Sequence, residues 1–169
     1  MRLFRDTVHA VNACDYTKAQ LDAWAPGGDG FEQQLAAKLL GQYVLGVRKN
    51  GVLIGFGSLD DAGGFDMLYV HKDFQRQGVG RALVHALEQE AWSRGHCALA
   101  VYASITARPF FERMGYVWLS DNVVMRDGVE LRNCRMEKVL CESAYMSTRP
   151  SAGASMAAGF MPFVADDSD

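Results

Sequence analysis

Apolar positions near the start of the chain recur at helical spacing. Leu3, Phe4, Val8 and Val11 fall on one helical face, and Phe31, Leu35 and Leu39 fall on another. Between them, Thr17 followed three residues later by Gln20 fits a capping box, which predicts a short helix to about residue 25. Pro26-Gly27-Gly28 stops it, and a further helix is expected over 29–40. After Gly41 the pattern turns to strands. Residues 43–47 and 52–59 flank Asn50-Gly51, a pair suited to a type I′ turn, whose two central residues both need positive φ. Asp61-Ala62-Gly63-Gly64 turns the chain again before a strand over 65–70. Val79, Leu83, Leu87 and Ala91, four apart, predict the clearest helix in the chain, ended by Gly95. A buried strand over 97–103 follows, then a helix over 105–114 ended by Gly115. Two strands over 116–125 and 129–139, joined at Asp127-Gly128, complete the pattern. There is no internal repeat. Helices, a β-meander and then helix–strand–helix–strand–strand predict an α/β (α+β) class: a mixed sheet with helices on both faces.

Composition adds limits. The chain has 169 residues, 49% of them hydrophobic and 22% charged, enough for one domain with its own core. Residues 1–141 read as that domain. Residues 142–169 are rich in Ser, Ala, Gly and Met and read as a flexible or loosely docked acidic tail. In the tail Glu142, Asp166, Asp167 and Asp169 face only Arg149, so the net charge of −3 resides there and the body is neutral. A neutral body argues against binding nucleic acid through a general positive field. No apolar run approaches the ~20 residues of a membrane helix, and residues 1–6 lack the apolar stretch of a secretion signal. A cytoplasmic protein with no membrane partner is expected. Cys14, Cys97, Cys134 and Cys141 form no Cys-x-x-Cys pair, and His9, His71, His85 and His96 show no ligand spacing. Neither a disulfide scaffold nor a metal site is expected.

One loop carries chemistry. Gln75-Arg76-Gln77-Gly78-Val79-Gly80 joins a predicted strand to the start of the long amphipathic helix. A helix N-terminus offers unpaired N–H groups and a partial positive charge, and glycines let a ligand approach the backbone. A phosphate or pyrophosphate suits such a cradle. The loop is neither a Walker motif, which needs Gly-Lys-Ser/Thr, nor a full Gly-x-Gly-x-x-Gly fingerprint, since position 83 is Leu. A tight turn of small residues where helix meets sheet is the plain alternative.

Two ordered motifs resolve that choice. Leu68-Tyr69-Val70-x4-Gln75-x-x-Gly78-x-Gly80 resembles motif A of the GNAT N-acetyltransferase superfamily, which binds the pyrophosphate of coenzyme A. Ala107-x-x-Phe110-Phe111-x-x-x-Gly115-Tyr116 resembles its motif B. The resemblance covers residues 40–140. A weaker likeness, to a subgroup of small bacterial acetyltransferases, lies in Val11-Asn12, Asp15-Tyr16 and Trp24-Ala25-Pro26. Three features depart from the family. The chain opens in a helix, so the family's first strand is missing; Ser104 stands where an Asn is common; and Phe111 stands where a Tyr often protonates the leaving thiolate. The missing strand leaves a sheet edge open, for residues 160–164 or a second subunit of a homodimer to cover; a truncated chain would show the same gap.

The resemblance implies a mechanism. The strand ending at Val70 and the strand from Cys97 would splay apart, and pantetheine would pair with the backbone of Leu68 and Val70 like an added strand. The pyrophosphate would take N–H groups from Gln77, Gly78, Val79, Gly80 and Arg81, after Gln75, with Arg76 and Arg81 adding charge. Ser104, before motif B, and Phe111, within it, would flank the cofactor. A backbone N–H at Leu68 or Tyr69 would stabilise the oxyanion. The acceptor would be a small-molecule amine, which is mostly protonated at neutral pH and needs a base or a desolvating pocket. Asp66, read by strand alternation as sharing a face with Leu68 and Val70, is a candidate base, with a solvated carboxylate as the alternative. Tyr102, Tyr116 or water would protonate the thiolate, unless both tyrosines serve packing. Tyr16 and Trp24, with His9, would roof the acceptor site, or be core. The implied function is acetyl-CoA-dependent N-acetyl transfer to a small amine by direct attack. A coenzyme A-binding regulatory or structural protein with impaired catalysis is one alternative, and a nucleotide-phosphate binding module is another.

Overall fold

The computed structural model describes residues 2–140 and the backbone of a short strand, Phe160–Pro162. Helix α1 (Arg2–Val11) runs through a 3-10 turn (Asn12–Cys14) towards α2 (Lys18–Trp24) and α3 (Asp29–Leu40). The capping box forms as expected: Gln20 N–H donates to Thr17 Oγ1 and Thr17 N–H donates to Gln20 Oε1. Strands β1 (Tyr43–Lys49), β2 (Val52–Leu59) and β3 (Phe65–Val70) form the meander; α4 (Val79–Ser93), β4 (Ala98–Ser104), α5 (Arg108–Arg113), β5 (Val117–Arg126) and β6 (Val129–Val139) follow. Both hairpin turns take the expected conformation, with positive φ at Asn50 and Gly51 and at Asp127 and Gly128. Helix α5 is shorter than expected, because Ser104 Oγ and its carbonyl hold residues 105–107 in a turn through the Ala107 N–H.

The sheet runs β5-β6-β4-β3-β2-β1-β7, with Phe160–Pro162 as β7. All neighbours are antiparallel except β3 and β4. The outer edge of β1, expected to be open, is where β7 lies: Val47, Gly46 and Leu45 pair with Phe160, Met161 and Pro162. Proline suits this place, because an edge strand can spare its N–H. The rest of the predicted tail lies outside the described residues.

Helices cover both faces, as predicted. On one face Leu83, Leu87 and Ala91 of α4 and Phe111 of α5 pack on Leu59, Val101 and Met136. On the other, Phe4 and Val8 of α1, Leu21 of α2 and Leu35 of α3 pack on Phe56 and Leu131. Two glycines set the spacing of α4. A Cβ at Gly55 would stand 2.9 Å from Val79 Cγ1, and one at Gly57 would stand 2.8 Å from Leu87 Cδ1. The helix therefore rests directly on the β2 backbone.

Two bulges interrupt the period-2 alternation. Val47 pairs with Gly55 but Arg48 with Leu53, so Ile54 is an extra residue in β2. Ser58 pairs with Met67 but Leu59 with Phe65, so Asp66 is an extra residue in β3. The second bulge reshapes the candidate site.

Candidate active site

Strands β3 and β4 are parallel neighbours joined at one register pair, Phe65 with Val101, and beyond it they diverge. The register on the other side of β3 shows which backbone groups face the gap. His71 N–H donates to Ile54 O, and Tyr69 pairs with Phe56. Alternation then turns the peptide groups of Tyr69 and Met67 towards β2, and those of Leu68 and Val70 into the gap. Of the two oxyanion candidates, the Leu68 N–H is therefore the one that faces the opening. The Val70 carbonyl is tied down by two donors, Gln75 Nε2 at 2.6 Å and Thr7 Oγ1 at 3.1 Å. Gln75 thus fastens the glycine loop to the end of β3, and Thr7 fastens α1 there.

The loop delivers the chain to α4 through left-handed conformations at Arg76 (φ 59°) and Gly78 (φ 84°). Gly78 is the N-cap and brings no side chain, and the first turn holds no acidic residue. Helical bonding starts with Ala82 N–H on Gly78 O, which leaves the N–H groups of Val79, Gly80 and Arg81 without a helical acceptor. Arg76, Arg81 and Arg113 line the cleft into which this helix start opens. None of the three has a carboxylate partner among the described residues. Uncapped amides at the positive end of a helix, in a cleft also lined by unpaired guanidinium groups, make a strong site for a polyanion.

The cleft holds about 660 Å³. Leu68, Tyr69, Val70, Gln75, Arg76, Gly78, Gly80, Arg81, Ser104 and Phe111 line it, and so do Asp66, Tyr102 and Trp24. Four predicted site residues stand elsewhere. Val79 packs into the core against β2. Gln77 is exposed and its amide donates to Asp73 O; the backbone N–H groups of both still belong to the loop. Tyr16 is buried, and its hydroxyl donates to Arg132 O at 2.6 Å and accepts from Ile105 N–H at 2.9 Å. It joins the turn before α2 to β6 and to the residue after β4, and burial raises its pKa against the opposing pull of the Ile105 hydrogen bond. Tyr116 lies behind Phe111, ring centroids 5.1 Å apart, with Lys138 over its face. Its hydroxyl is buried without a hydrogen-bond partner, and burial, then the Glu88 charge, raises its pKa. Because it does not line the cleft, Tyr102 is the better placed of the two tyrosines proposed as acids.

Asp66 also departs from the expected geometry. As the bulged residue it escapes the alternation that would set it beside Leu68 and Val70. Leu68 packs on the α4 side, whereas Met67 and Tyr69 pack on the side of α1 to α3. Asp66 joins the latter pair. Lys38 Nζ of α3 stands 2.9 Å from its carboxylate and Gln42 Nε2 donates at 2.8 Å. There it lines a second, smaller chamber of about 230 Å³ with Phe4, Trp24, Phe31, Lys38, Met67, Tyr69 and Arg126. Asp66, Trp24, Met67 and Tyr69 belong to both cavities, so the chamber opens off the cleft. Burial raises the Tyr69 pKa, opposed by the Trp24 indole and the Arg126 charge.

Sequence reasoning missed Thr7, Asn12, Lys38 and Arg126. Thr7 carried a signal, a hydroxyl inside the apolar stripe of α1, and it is buried. Asn12 is buried too and lines the cleft; its amide donates to Ser104 Oγ at 3.3 Å, beside the serine that replaces the family's usual Asn. Lys38 and Arg126 reach the site from distant segments and gave no local sign.

Comparison with known proteins agrees with this architecture. The GNAT acetyltransferase domain matches residues 12–140, and the chain belongs to that family. It is 36% identical over 102 residues to the uncharacterized N-acetyltransferase YafP of Escherichia coli. That match covers 60% of this chain and 61% of the relative's length. A GCN5-related N-acetyltransferase structure from Rhodopseudomonas palustris superposes with a TM-score of 0.78 at 39% identity, covering 81% of this chain and 85% of that one. The PaiA N-acetyltransferase of Thermoplasma acidophilum, solved in complex with coenzyme A, shares the fold at 17% identity and a TM-score of 0.60, covering 82% and 89%. No helix among the described residues is long and apolar enough to cross a membrane.

Proposed function

We propose that the protein transfers the acetyl group of acetyl-CoA to the amine of a small molecule by direct attack. The observation that carries this reading is the continuity of the gap between β3 and β4 with the uncapped start of α4, in a cleft also lined by Arg76, Arg81 and Arg113. Pantetheine fits the gap as an added strand on the peptide groups of Leu68 and the N–H of Val70, whose carbonyl is already held by Gln75 and Thr7. The diphosphate fits the amides of residues 78–81, and the coenzyme A complex of the PaiA relative is consistent with such a ligand in this fold. A cytoplasmic setting, where acetyl-CoA is at hand, is part of this reading.

The chemistry runs from these groups. The amine nitrogen attacks the thioester carbonyl carbon, and the Leu68 N–H stabilises the negative charge that develops on oxygen. Asp66, the only carboxylate lining the cleft among the described residues, draws the amine to the junction and takes its proton, directly or through water. The carbon–sulfur bond then breaks, and the thiolate takes a proton from Tyr102 or from water. Phe111, buried against Phe65, Phe110 and Tyr116, has no hydroxyl to offer.

That same Phe111 favours the second reading, a coenzyme A-binding protein without turnover. Free thiol release from acetyl-CoA with an amine panel separates the two. Release above the acceptor-free rate supports the enzyme. A thermal shift with coenzyme A but no release with any amine supports the binding protein. A shift with ATP and none with coenzyme A overturns both.

A further inference from the structure

The small chamber off the cleft has a composition that selects its guest. It holds about 230 Å³, the room of about eight water molecules. That suits one six-membered ring on a short chain and excludes a multi-ring sugar or a folded peptide. Its wall is aromatic: Phe4 meets Tyr69 edge-on at 4.7 Å and Phe31 at 5.8 Å, and Trp24 lines the chamber with them. Rings on a wall like this take another ring at offset or edge-to-face geometry.

The charges are ordered as well. Asp66 stands at the junction with the cleft, where the attacking amine must lie. Lys38 is 2.9 Å from it, and Arg126 lines the same chamber with no carboxylate partner among the described residues. Two cations against one carboxylate leave the chamber one charge positive, which repels a polycation and favours an acceptor that brings a negative group of its own. Acid and base side chains in contact also match a ligand whose ammonium and carboxylate sit on one carbon.

We infer that the acceptor is an α-amino acid with a single aromatic ring. Its amine lies at Asp66, its carboxylate at Lys38 and Arg126, and its ring against Phe4, Phe31 and Trp24. This inference rests on the acetyltransferase reading above, and the test separates the two. Thermal shift with acetyl-CoA is measured first, and thiol release is then followed with L-phenylalanine, phenethylamine, L-alanine and spermidine. L-Phenylalanine is expected to exceed phenethylamine, which lacks the carboxylate, and L-alanine, which lacks the ring, by about tenfold or more in kcat/KM. Arg126→Gln is expected to remove most of the advantage over phenethylamine while the shift with acetyl-CoA persists. Equal or better use of phenethylamine or spermidine, or no use of L-phenylalanine by a protein that acetyl-CoA stabilises, overturns the amino-acid assignment alone. No shift with acetyl-CoA overturns the cofactor reading and this inference with it.

Discussion

Replacing Gly80 by Asp sets a carboxylate at the mouth of the proposed diphosphate cradle. The position has room for a side chain, since a Cβ there would meet the Phe110 ring at 3.4 Å and Val70 Cγ2 at 3.6 Å, ordinary contact distances. The fold gains slightly from the change. Gly80 is the second residue of α4 and the first turn holds no acid, so a carboxylate there is worth roughly 0.3–1 kcal/mol through the helix dipole. Ligand binding suffers. At about 5 Å and an effective dielectric of about 20, a carboxylate repels each phosphate charge by about 3 kcal/mol. One such term already weakens binding more than about 100-fold. Calorimetric titration with coenzyme A, beside thermal melts of the free protein, reads the two effects separately. The expected result is an unchanged or raised Tm with coenzyme A affinity lost, and a much smaller loss for Gly80→Ala. Affinity within about threefold of the parent in Gly80→Asp would refute the reasoning, because no diphosphate could then lie against these amides.

Other consequences follow from the packing. Lys138→Met leaves the almost fully buried Glu88 carboxylate, now bonded by Lys138 Nζ at 2.9 Å and 3.0 Å, with the His85 ring at 3.6 Å alone; urea denaturation should show a loss of about 3 kcal/mol. Tyr69 and Tyr116 have folded pKa values raised chiefly by burial. Their contribution to stability is therefore complete below the unfolded tyrosine pKa of about 10 and is lost as pH rises beyond it, by about 1.4 kcal/mol per pH unit for each ring. Melts between about pH 8 and pH 11 should show a plateau and then a steep fall, which replacing either tyrosine by Phe should soften. Ending the chain after Leu140 removes the strand that covers Leu45, Gly46 and Val47; light scattering should then show self-association through the bared edge, and a strictly monomeric product would assign the edge another cover.

The legible parts of the fold were those whose signal is local. The four-residue period of α4, the Thr17–Gln20 box and the two Asx-Gly turns each depend on neighbours in sequence, and each formed as read. The glycine loop was legible for the same reason, since its glycines, the following helix and the motif resemblance are contiguous. The bulges at Ile54 and Asp66 were not. An extra residue in a strand is defined by the partner's register, and nothing in Phe65-Asp66-Met67 announces it. That single residue moved Asp66 to the opposite face of β3 and tied it to Lys38, 28 positions upstream. Tyr16 and Tyr116 stayed open between site and core for a related cause. A tyrosine offers the same ring and hydroxyl to a core as to a site, and only the tertiary contacts, Arg132 and Ile105 for one and Phe111 and Lys138 for the other, separate the two uses.

The central claim is that a diphosphate sits on the free amides at the start of α4, with its pantetheine arm between β3 and β4. A crystal structure of the coenzyme A complex tests it most directly. The account predicts phosphate oxygens about 3 Å from the main-chain nitrogens of residues 79–81 and the thiol end near Leu68. Coenzyme A bound elsewhere, with those nitrogens facing only solvent, would contradict it.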